Sequence, residues 1–102
     1  MITHMVLLRI RKNASKKETD GAFAALASLK TKVPGILSYS CGPYSSPEGL
    51  NKGFTHGFAM TFPDAKARDI YLTHPEHEKV KAVVLAVLEG GLDGVIAFDY
   101  AS

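Results

Sequence analysis

The chain has one cysteine, Cys41, in 102 residues. That excludes an internal disulfide and any cysteine-rich zinc site. No histidine stands beside Cys41 and no helix begins there to lower its pKa, so it is expected to be structural or incidental. Long apolar runs are also missing, and nothing approaches the ~20 residues of a membrane span. The opening stretch MITHMVLLRIRKN has too short an apolar run for a secretion signal, and its charges follow that run. Cytoplasm is therefore the expected compartment, with no membrane partner. Charge of one sign is scarce, with 12 Lys and Arg against 10 Asp and Glu and a formal net charge of +2. The basic residues gather only in RIRK (9–12) and SKK (15–17), which read as a solvated strand end and helix start. A nucleic-acid surface would want a denser basic stripe with stacking aromatics beside it, so no nucleic-acid partner is expected. There is no internal repeat and no low-complexity tract.

What is present is ordinary globular composition, 46% apolar and 22% charged, in one domain over residues 1–102. Residues 2–10 alternate as a strand, with Ile2, His4, Val6, Leu8 and Ile10 on one face and Thr3, Met5, Leu7 and Arg9 on the other. SKKE (15–18) fits a capping box, and Ala22, Leu26, Leu29 and Val33 follow at helical spacing with Phe23 beside them. Pro34 and Gly35 stop that helix. ILSYSCG (36–42) reads as a second strand and PYSSPEGLNKG as a loop. FTHGFAMTF (54–62) is a third strand, with Phe54, His56, Phe58, Met60 and Phe62 on one face and Thr55, Gly57, Ala59 and Thr61 on the other. PDAKARDIYLT gives a short helix, PEHEKVKAVVLAVLE a longer one closed by Gly90 and Gly91, and LDGVIAFDY the last strand. The order predicts an α+β, ferredoxin-like β-α-β-β-α-β fold: a four-stranded antiparallel sheet covered by helices on one face, its second helix broken near His74-Pro75. The bare face, with Met5 and Leu7 beside Thr55, Gly57, Ala59 and Thr61, predicts a homodimer.

The same periodicities aim the histidines. Val80, Val83, Val84, Val87 and Leu88 make the inner stripe of the longer helix, and His77 precedes Val80 by three residues and Val84 by seven. Ala67, Ile70, Tyr71 and His74 share one face of the short helix, so Tyr71 looks inward too. His74, before Pro75, reads as a helix-boundary residue, and Glu76 and Glu78 are expected in solvent. His4 and His56 share strand faces with large apolar residues. Buried imidazoles need polar partners, so the expectation is one polar pocket reached by His4 and His56 from the strands and by Tyr71 and His77 from the helices.

Four pieces, THMVLLRIR, GFTHGFAMTF, IYLTHPEH and VIAFDY, together with the element order, resemble the stress-responsive A/B barrel family of dimeric α+β barrel proteins. The resemblance covers nearly the whole chain. It implies that two subunits pack their sheets together into a barrel. One plant member closes a linear polyketide by aldol condensation with the carboxylate retained and with no cofactor. Carried over by motif, its catalytic pair matches His77 and Tyr71, and its supporting strand histidines match His4 and His56. Phe23, Val6 and Phe58 would complete the substrate-binding lining. Where that member has bulky aromatics on the first helix, this chain has Ala22 and Leu26 and keeps only Phe23. The implied function is a cyclase or lyase-type enzyme that acts on a small, polyketide-like carbonyl compound. A neutral histidine would take the proton between two carbonyls while a phenol holds the developing oxyanion. The alternative is a noncatalytic stress-response or small-ligand-binding dimer using the same cavity. A metal site on the HxxH spacing ranks below both, since no further ligands are evident, and haem has no dedicated sequence signal.

Overall fold

The computed structural model describes residues 1–102. Strand β1 (Ile2–Leu8) leads to helix α1 (Lys16–Lys32), then β2 (Ser38–Pro43), β3 (His56–Phe62), α2 (Ala65–Thr73), α3 (Pro75–Leu85), a 3-10 turn (Gly91–Gly94) and β4 (Val95–Ala101). The sheet order is β2-β3-β1-β4 with every pair antiparallel. This is the expected ferredoxin-like α+β arrangement.

Local signals explain most of the element ends. Ser15 caps α1 in a reciprocal box: its hydroxyl accepts from the Glu18 N–H at 3.0 Å, and the Glu18 carboxylate accepts from the Ser15 N–H at 3.1 Å. Asp64 caps α2 by accepting from the Ala67 N–H. Several boundaries move inward from the expected ones. Strand β2 begins at Ser38 rather than 36, and β3 at His56 rather than 54. Helix α3 ends at Leu85, because residues 86–89 turn so that Leu88 can bridge Ile10. The segment 91–94 coils instead of extending, after Gly90 takes a left-handed φ of 75°. At Gly94 a Cβ would lie 2.7 Å from the Glu89 carbonyl oxygen, so only glycine fits where β4 begins.

The helices cover the sheet face that carries Ile2, His4, Val6 and Leu8 of β1 and Phe58, Met60 and Phe62 of β3, all buried. Ala22, Leu26, Leu29 and Val33 meet them from α1, and Val80, Val84, Val87 and Leu88 from α3 and the turn after it. Two residues expected inside are not. Ile70 and Val83 are each 46% exposed. Tyr71 takes the inward direction of α2, which turns Ile70 about 100° away, and Val83 falls at the edge of the arc centred on Val84. The opposite sheet face is open and greasier than expected, because β4 adds Ile96, Phe98 and Tyr100 to Met5 and Leu7. The register places Phe98 beside Met5 and Ile96 beside Leu7.

Candidate active site

A cavity of about 200 Å³ lies between the sheet and the helices. His4, Val6 and Phe58 line it from the central strands, Tyr71 and Leu72 from α2, and His77, Val80, Lys81 and Val84 from α3. Its walls are mostly apolar, as ligand cavities are. Leu26, Leu85, Leu92 and Ala97 are among the remaining lining residues.

The helix break sets the central pair. His74 is extended, with φ −70° and ψ 137°, and serves at once as the end of α2 and the start of α3. Its ring Nδ1 accepts a hydrogen bond from the Glu76 N–H at 3.1 Å. That nitrogen is spent on capping, and His74 does not line the cavity. Either side of it, Tyr71 and His77 stand with ring centroids 4.6 Å apart. Tyr71 is 1% exposed. Burial pushes its phenol well above the ordinary value, and the Asp99 charge adds to this, so Tyr71 keeps its proton and has one to donate. Burial also holds the His77 imidazole below its ordinary value, with Lys81 and His4 helping. The Glu78 carboxylate and the Leu72 carbonyl pull the other way and only partly offset it. His77 Nδ1 is enclosed without a hydrogen-bond partner, its distance of 3.8 Å to the Glu78 carboxylate being too long for one. An imidazolium needs acceptors at both nitrogens, so an unpartnered Nδ1 also favours the neutral ring. One cavity thus holds a neutral base in contact with a protonated donor.

His4 completes the group. Its ring lies edge-on to Tyr71 with centroids 5.8 Å apart, and to Phe58 at 6.1 Å. Strand register sets His4 directly beside Asp99, and Asp99 Oδ1 lies 2.6 Å from His4 Nδ1. The other Asp99 oxygen accepts from the Arg68 guanidinium at 2.8 Å. Burial pushes the Asp99 carboxyl up, but the hydrogen bonds from Arg68 and His4 together more than reverse it and leave it below the usual value. An ionised carboxylate only accepts, so His4 Nδ1 is the donor and Nε2 is the ring nitrogen left free. Neither Asp99 nor Arg68 was expected at the site. The inward parity of Asp99 with Val95 and Ala97 was a readable signal, whereas Arg68 had none.

His56 and Phe23 are the corrections. Neither lines the cavity; they pack on one another with ring centroids 5.4 Å apart. They border a separate shallow depression with Cys41 and Pro43. His56 does share the inward face of β3, but it pairs with Leu8 while His4 pairs with Met60. Four residues of strand, about 13 Å, separate those two levels. His56 Nδ1 lies instead 2.9 Å from the Thr55 hydroxyl, and burial lowers its pKa. Of the two glutamates, Glu78 is exposed, as expected, whereas the Glu76 side chain is only 29% exposed and lies 3.3 Å from the Lys79 ammonium. Cys41 is exposed. No helix is long and apolar enough to cross a membrane.

A family model described as Stress responsive A/B Barrel Domain matches residues 2–102. The chain belongs to that family. A stress-response A/B barrel domain-containing protein of Arabidopsis thaliana is 26% identical over 98 residues, 95% of this chain and 82% of the relative. Among solved structures, a dimeric ferredoxin-like protein of unknown function from Jannaschia superposes with a TM-score of 0.88 at 28% identity, over 99% of this chain and 98% of the other. A hydroxynitrile lyase from Passiflora edulis shares the fold with a TM-score of 0.86 at 21% identity, over 97% of this chain and 90% of its own.

Proposed function

We propose that this stress-responsive A/B barrel protein is a cofactor-independent enzyme of lyase or cyclase type that abstracts a proton from a small carbonyl compound. The observation that carries this reading is the contact of His77 and Tyr71 at 4.6 Å, with burial holding the first neutral and the second protonated. His77 takes the proton next to the carbonyl, and Tyr71 donates to the oxygen on which charge then develops. His4, its tautomer set by Asp99, offers Nε2 to the same ligand. The hydroxynitrile lyase with this fold indicates that the scaffold tolerates lyase chemistry; it does not carry its substrate over to this chain. The active form is a homodimer. Support comes from the open face of Met5, Leu7, Ile96, Phe98 and Tyr100 and from relatives of this fold described as dimeric.

The test is proton exchange at the central carbon of acetylacetone in deuterated buffer, followed by NMR. The protein is expected to accelerate exchange over buffer, His77→Ala to lose on the order of a hundredfold of that acceleration, and Tyr71→Phe to fall between. Exchange that His77→Ala leaves unchanged overturns the catalytic assignment. A cavity that binds the diketone without accelerating exchange favours the noncatalytic ligand-binding reading instead.

A further inference from the structure

We infer that the cavity takes a compact monocarboxylate, its apolar body inside and its carboxylate at Lys81. The inference rests on the cavity being the ligand site and adds the charge and size of what enters.

Charge comes from an inventory of the polar groups. The only polar side chains among the lining residues are His4, Tyr71, His77 and Lys81, and no carboxylate or amide is among them. Lys81 follows His77 by one helical turn on the same side of α3 and is close enough to bias its titration. The neighbouring carboxylates are engaged elsewhere. Glu76 pairs with Lys79 at 3.3 Å, both Asp99 oxygens are taken by His4 and Arg68, and exposed Glu78, though 3.8 Å from His77, makes no ion pair with Lys81. Lys81 is exposed, as are Leu72 and Leu92 of the same lining at 38% and 65%, so the cavity opens to solvent where these residues stand. A ligand carboxylate there would meet an unpaired ammonium while its apolar body rests on Val6, Leu26, Phe58 and Val84.

Size comes from the volume. About 200 Å³ is only somewhat more than the ~150 Å³ apolar cavity that accommodates benzene. One ring or a short branched chain fills it, and a long alkyl tail does not.

Benzoate and its neutral isostere benzamide are the probes, titrated against the whole protein by NMR and calorimetry. Benzoate is expected to bind saturably with shifts at His77 and Val84, about two- to fivefold tighter than benzamide, as for an exposed ion pair. Lys81→Gln should remove that preference while leaving benzamide affinity unchanged. Biphenyl-4-carboxylate should bind no better than benzoate. Equal binding of the two probes, or a preference that survives Lys81→Gln, overturns the charge inference. Tenfold tighter biphenyl binding overturns the size limit, and failure of both probes to bind overturns the inference altogether. The acetylacetone exchange experiment needs no carboxylate, so the proton-abstraction reading stands or falls separately.

Discussion

Asp99, behind His4, and His77, in the cavity wall, have folded-state titrations that differ from their ordinary ones, and each difference is a statement about stability. Asp99 lies below its ordinary value of 3.8. Its contribution is therefore complete above that pH and is lost as pH falls through the lower folded value. Asp99→Asn should cost about 1–3 kcal/mol at pH 7, and urea titrations should show the gap to wild type narrowing as pH falls below the ordinary value. A gap of constant size would contradict the ion-pair account. His77 lies below its ordinary value of 6.5 as a cation, so protonation favours the unfolded chain and stability falls as pH drops below that point. Melting curves at pH 7.5 and 5.5 should show a larger loss for wild type than for His77→Gln. The inward direction of His4, Tyr71 and His77 was legible in the sequence because parity and helical spacing fix direction. How far along a strand a residue sits, and what lies beside it, depends on long-range register. That is why His56 was misplaced and the partnership of Asp99 with His4 went unseen.

Elements follow from local chemistry wherever a cap or a breaker is explicit. Helix α1 starts at the residue its capping box dictates, and Ser15→Ala should destabilise the protein by about 1 kcal/mol, measurable as a lower urea midpoint at unchanged slope. Boundaries were less readable where the determinant is a tertiary contact. Residues 86–89 have helical composition but leave the helix for the Ile10–Leu88 bridge. LDG before the last strand coils because Gly94 must fit against the backbone of Glu89. The break between α2 and α3 was legible, because a residue preceding proline is held out of the helical region.

For the whole molecule, element order alone pointed to the four-stranded sheet with one covered face, and the open face implied a second subunit. The strand that contributes most to that face, β4, was read for its order and not for its outward residues. Phe98, 64% exposed and set beside Met5, is the centre of the patch. Replacing it with lysine should bury a charge between two sheets and shift sedimentation from dimer toward monomer at micromolar concentration. A variant that still sediments as a dimer would place the contact elsewhere.

The extended backbone at His74 has one more consequence. In an uninterrupted helix, residues 71 and 77 would be separated by about 9 Å along the axis and about 120° around it, on different faces. Their rings touch only because Pro75 insulates one helix from the next, so the base and its donor belong to two rigid rods meeting at an elbow. Their spacing is therefore an angle rather than a pitch. A substitution far from both rings that tilts α2 against α3 would retune the pair without altering either side chain.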